Sequence, residues 1–132
     1  QMCIRDSISP EESLILCREG RKRGVNMILT HPEFPRTRIG RDDQAELAKL
    51  GVVIEKNWFN LAQKSVMPEE MAETIRTVGS GHVYLATDRG QKGAPTPVSE
   101  LKRFIAVMLT CGIAEAQIRD MVQKVPEEVV CR

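Results

Sequence analysis

Three short apolar stretches in this chain end abruptly in residues that can carry a proton or bind a metal ion. Met27-Ile28-Leu29 runs into Thr30-His31-Pro32, Val52-Val53-Ile54 into Glu55-Lys56-Asn57, and Val83-Tyr84-Leu85-Ala86 into Thr87-Asp88-Arg89-Gly90-Gln91. Imidazole nitrogen and carboxylate oxygen are common ligands of zinc and similar divalent ions. An aspartate can also serve as general base toward a metal-bound water, whose pKa the metal lowers toward neutrality. In parallel α/β proteins the carboxyl ends of the strands face the crevice where chemistry happens. Asp88, closing such a stretch, is therefore a placed acid, and His31 is its counterpart on an earlier strand. The plainer readings are a loop histidine before proline, and a turn cap in an Asp-x-Gly sequence. Both stand beside the chemical ones at this stage.

The neighbouring residues supply the rest of a candidate site. Asn57 can hydrogen-bond a ligand or its own loop. Gln91, Arg89 and Lys92 follow the third strand and can meet an anionic substrate or simply be solvated. Glu55 and Lys56 alternate, so they point to opposite sides of their strand. One of them must tolerate burial or reach the rim. His82 precedes its strand, belongs to the opposite rim and reads as structural. Gly90-Gln91-Lys92-Gly93 lacks the spacing of a phosphate-cradling loop or a dinucleotide fingerprint. There is no GxSxG nucleophile elbow.

The elements that must position these residues follow from periodicity and capping. Ser9-Pro10-Glu11-Glu12 starts a helix with a cap, a first-turn proline and acids in the first turn. Leu14, Ile15 and Cys17 are its expected apolar stripe, and Gly20 or Gly24 its end. Val25 to Thr30 is expected as a strand, 41–50 as a helix with Ala45, Leu47, Ala48 and Leu50 inward, and Val52 to Asn57 as the second strand. Trp58 to Met67 reads as loop, 68–78 as helix and Val83 to Thr87 as the third strand. Helices over 98–110 and 114–124 follow, the last stopped by Pro126. Strands starting near 25, 52 and 83, each separated by a helix, form consecutive βα units with a parallel sheet. Right-handed crossovers would put all three strand ends on one rim. Three strands cannot close a barrel, which needs eight.

Composition narrows the function classes. With 132 residues, 42% apolar and 28% charged, the chain is long enough for one domain with its own core. A net charge of +1 lacks the basic excess of a nucleic-acid surface. Arg18, Arg21, Lys22 and Arg23 sit where they complement a helix carboxyl end. Cys3, Cys17, Cys111 and Cys131 show no metal or redox spacing and read as buried, reduced thiols of a cytoplasmic protein. No apolar run approaches the roughly 18 residues of a membrane span. Met2-Cys3-Ile4-Arg5-Asp6-Ser7 resembles a translated adapter sequence, so residues 1–7 are set aside as an artefactual or disordered tail and 8–132 taken as the domain.

From Ser9 onward the chain resembles the carboxyl-terminal part of an amidohydrolase-like, metal-dependent hydrolase, in a branch known only as a domain of unknown function. The resemblance lies in Leu29-Thr30-His31-Pro32, Ala48 to Glu55, Ala86 to Gln91, Phe104-Ile105 through Gly112-Ile113, and Met121 to Pro126. It implies a (β/α)8 TIM barrel of which these are strands six, seven and eight. It implies His31 and Asp88 as ligands of a divalent metal ion, zinc or similar, with Asp88 also catalytic. The metal-activated water would attack a small-molecule substrate, with Asn57 and Gln91 as the substrate-binding candidates. The family's early His-x-His pair and mid-barrel ligands have no counterpart here, so the metal belongs to the full-length parent and the isolated chain is expected to be inactive. A non-catalytic α/β binding or scaffold domain is the alternative. A third reading is a homo-oligomer that completes its sheet with another chain, since open sheet edges invite pairing.

Overall fold

A computed structural model describes residues 9–131; the tail expected over 1–7 lies outside the described residues. The order is α1 (Pro10–Lys22), β1 (Ile28–Leu29), α2 (Arg41–Lys49), β2 (Val53–Asn57), α3 (Trp58–Ala62), α4 (Pro68–Val78), a 3₁₀ turn (Ser80–His82), β3 (Val83–Ala86), α5 (Pro97–Thr110), α6 (Glu115–Arg119), a π turn (Asp120–Lys124) and α7 (Val125–Val130). The three strands form one open, fully parallel sheet in the order β1-β2-β3. The α/β class and the three strand positions agree with the periodicity.

Helix α1 begins with a reciprocal capping box. Ser9 Oγ accepts from the Glu12 amide at 3.2 Å, and the Glu12 carboxylate accepts from the Ser9 amide at 2.7 Å. Its buried line is Ser13 and Cys17, whereas Ile15 is 60% exposed. Ile15 does not belong to the expected stripe: it is two residues from Cys17, about 200° around a helix of 3.6 residues per turn. Leu50 is likewise 48% exposed because α2 stops at Lys49, and Leu47 and Ala48 take the inward positions.

Strand β1 is shorter than the expected 25–30. The Val25 amide donates to the Gly20 carbonyl at 2.9 Å, and the Arg21 guanidinium donates to the Val25 carbonyl at 3.0 Å and reaches the Asn26 side chain. These bonds make Val25-Asn26 the closing turn of α1 rather than sheet. At the other end His31, at φ 52°, turns the chain out of the sheet.

Strand register separates the sheet into two faces. Ile54 pairs with Val83 and Lys56 with Leu85, and Leu29 lies beside Ile54. All five are buried, and Lys56 bonds Gln44 of α2, so this face is the one the helices cover. Ile28, Val53, Tyr84 and Ala86 alternate onto the other face and remain half-buried. There Val129 and Val130 of α7 meet Met27, Ile28 and Val53 around a groove of about 340 Å³. That second face is only partly covered.

Two segments depart from expectation. Within the supposed loop 58–67, Asn57 Oδ1 accepts from the Asn60 amide at 3.0 Å and caps the five-residue α3. So short a helix carries too little periodicity to be read. The chain also continues helically beyond Pro126, because a π turn precedes it and the proline falls in the first turn of α7. First-turn residues need no intrahelical partner for their N–H. Among the described cysteines, Cys17 is buried, Cys111 half-buried and Cys131 exposed, and all are free thiols. The expectation of buried thiols therefore fails at Cys131. No helix among the described residues is long and apolar enough to cross a membrane.

Candidate functional site

The carboxyl rim of the sheet gathers one polar group from each strand end. His31, just past β1, has its ring between two carboxylates: Nε2 stands 3.9 Å from Glu55 Oε1, and Nδ1 stands 3.8 Å from Asp88 Oδ2. Both gaps exceed a direct hydrogen bond. Asn57 closes the group, its amide nitrogen in contact with His31 Nδ1 and 3.4 Å from Glu55 Oε1. Where the Asn57 amide donates, Nδ1 is the unprotonated, accepting nitrogen of the ring. Tyr84, paired in register with Glu55, donates its hydroxyl to Glu55 Oε2 at 2.9 Å. The cluster thus rests on strand alternation: Glu55 and Asn57 share one face of β2, and Tyr84 shares that face of β3.

Burial and backbone distinguish the members. The His31 and Glu55 side chains are almost closed off, while that of Asp88 is 30% exposed and is the one solvent reaches most readily. His31 (φ 52°) and Asp88 (φ 50°) both occupy the left-handed region. Non-glycine residues are uncommon there, with Asn, Asp and His enriched, and such strain concentrates at functional sites. Left-handed backbone at both strand ends turns each chain sharply, and the two side chains converge.

The remaining candidates divide. Gln91 lies exposed in the loop after β3, where its carbonyl accepts from the Ala94 amide at 3.1 Å. Arg89 is not a solvated residue awaiting an anion. Its Nε donates to the buried Glu100 at 3.2 Å, and its guanidinium lies 5.5 Å from the centre of the Phe59 ring. Both Glu55 and Lys56 are buried, so the alternative between them dissolves. Glu55 joins the rim cluster, and Lys56 faces the helices, where Glu33 and Gln44 accept from it, Gln44 at 2.6 Å. Burial pushes the Lys56 amine below its ordinary range, and the adjacent Glu33 carboxylate opposes that shift. His82 is exposed on the amino-terminal rim, away from the cluster. Tyr84, Glu33 and Glu100 escaped the sequence reading. Tyr84 carried a usable signal, since it lies four residues before Asp88 on the same alternation.

The described residues include no group of three or more His, Cys, Asp and Glu that could hold a metal ion. The two nitrogens of the His31 ring face different carboxylates, and the Asn57 amide lies on the Nδ1 side. One ion would meet His31 with Glu55 or with Asp88, whereas catalytic zinc usually takes three protein ligands. These residues alone do not fit a metal. They can orient an imidazole between two carboxylates and offer an accessible acid beside it.

Residues 8–55 match a family of unknown function (DUF6282), a span that includes His31 and Glu55 but stops before Asp88. No curated protein and no solved structure matches the chain.

Proposed function

We propose that this chain is the carboxyl-terminal part of an amidohydrolase-like (β/α)8 barrel, its three strands being the sixth to eighth. The complete protein would be a hydrolase of a small molecule. The observation that carries the reading is convergence: polar side chains from three consecutive parallel strand ends meet at one carboxyl rim. They do so toward the sheet face that the helices leave partly open, which would be the barrel interior. In this reading Asp88 is the accessible catalytic acid or base, His31 stands beside it, and Glu55 and Asn57 fix the ring. Gln91, exposed in the loop after β3, is the candidate to hydrogen-bond substrate, whereas Asn57 is fully buried with both ends of its amide engaged and serves the ring. A divalent ion of the zinc kind would require donors from other strands beside His31 and Asp88. When bound, such an ion supplies a water acidified toward neutral pH. A cytoplasmic setting agrees with the free thiols.

The contiguous upstream coding sequence and the metal content of its product test this proposal. Further βα units, an early strand bearing His-x-His, and stoichiometric zinc or a similar ion are expected. An open reading frame that starts beside Ser9 and yields a folded, metal-free protein would overturn it. The binding or scaffold reading would then stand.

A further inference from the structure

We propose that Glu100 is a positioning residue that sets the distance between Asn57 and Asp88 around His31. Glu100 lies in the first turns of α5, outside the rim cluster, and is buried. A carboxylate in that position needs partners, because burial of an unpaired charge is costly. Its partners come from both strand ends that carry the site. Trp58 Nε1 and Arg89 Nε (3.2 Å) both donate to Oε2, while Arg103 of the same helix donates to Oε1 at 3.0 Å.

The sequence relation gives the bond pattern its meaning. Trp58 directly follows Asn57, and Arg89 directly follows Asp88. One carboxylate oxygen therefore holds the residue after each rim group, and joins the end of β2 to the end of β3. Arg89 is fixed on a second side by the Phe59 ring beneath its guanidinium. Asp88 sits at a left-handed backbone position that its surroundings must enforce. Clamping the next residue supplies that restraint. Glu100 touches neither His31 nor any reacting atom, so it acts only through Asp88 and Asn57.

This inference rests on reading His31 and Asp88 as the working pair, but its test reads geometry rather than turnover, so a failed hydrolase assay leaves it standing. The ring nitrogen resonances of His31 are measured by long-range proton–nitrogen correlation at fixed pH. The variants are Asp88→Asn, Glu100→Gln, Arg89→Gln and the double variant Asp88→Asn/Glu100→Gln. His82, exposed on the far rim, is the internal control. Glu70→Gln, which removes an exposed partner of Arg38, is the control for loss of an ion pair elsewhere. Glu100→Gln and Arg89→Gln are expected to move the His31 resonances in the direction seen for Asp88→Asn, leaving His82 unmoved. The double variant is expected to move His31 by less than the sum of the two single variants, because the route through Arg89 and Asp88 is shared while the route through Trp58 and Asn57 remains. Unmoved His31 resonances, or shifts that add fully in the double variant, would overturn the proposal. Should Glu100→Gln fail to fold, Arg89→Gln decides the question, because it leaves Glu100 bonded to Trp58 and Arg103.

Discussion

Strand β2 carries charge on both of its faces, and the two faces treat it differently. On the helix-covered side Lys56 is fully buried and bonded to Glu33 and Gln44. On the partly open side Glu55 and Asn57 meet His31, Tyr84 and Asp88, with Asp88 reaching solvent. The first group is enclosed: Lys56 is fully buried, and Glu33 turns one carboxylate oxygen to it while the other is buried without a hydrogen-bond partner. The second combines close bonds from Asn57 and Tyr84 with wider His31–carboxylate gaps of 3.9 and 3.8 Å, and it contains two left-handed residues, His31 and Asp88. A closed ion pair buried by helices serves the fold. A strained polar cluster at a rim can serve a reaction.

The largest effect is expected from opening the closed pair. Lys56→Met strands the Glu33 carboxylate in the interior and should cost about 3 to 5 kcal/mol in urea denaturation. Glu33→Gln in the same chain should recover part of that loss, because removal of both charges leaves none uncompensated. Equal stability of Lys56→Met and wild type would show that the pair is not structural.

The same pair predicts a pH dependence. The Lys56 amine is depressed in the folded state. Between its folded pKa and the unfolded value of about 10.4 the unfolded chain binds more protons, so this residue makes stability rise with pH across that window. Below the folded pKa the cost of burying the charge is present in full. The difference in stability between wild type and Lys56→Met should therefore widen as pH rises toward 10, and a difference that stayed flat or narrowed would contradict the assignment.

A smaller effect is expected on the open face. Asp88→Gly places glycine where φ is 50° and should leave stability within about 1 kcal/mol of wild type, or raise it, since the left-handed cost disappears. A loss comparable to that of Lys56→Met would make Asp88 a structural residue and erase the contrast between the faces. The smallest effect concerns thiols. Burial pushes Cys17 up, whereas Cys131 is exposed. Iodoacetamide should label Cys131 in the native protein and Cys17 only after unfolding, as peptide mass mapping would show.

The sequence made the strand ends legible because apolar runs that stop at His31, Asn57 and Asp88 are local signals. The α/β order followed from the spacing of those runs. The partners of the site were hidden because they are long-range. Nothing near Glu100 announces that it will hold Trp58 and Arg89, and nothing near Glu33 announces Lys56. Helix phase explains Ile15, and the cap role of Asn57 explains α3, where a polar residue before Trp58 looked like loop. The metal expectation came from ligand types. The orientation of the His31 ring, whose two nitrogens face different carboxylates, is not encoded locally in a sequence.

The most direct measurement of the central claim is the hydrolytic rate per folded molecule of the complete protein on a panel of small amides and esters. Wild type is compared with Asp88→Asn, His31→Ala and the control Glu70→Gln. The account predicts turnover in wild type and Glu70→Gln, with a loss of 10²-fold or more in the other two, on the order expected for a positioned acid–base group. Wild-type rates in Asp88→Asn and His31→Ala, or no turnover in any of them, would contradict it.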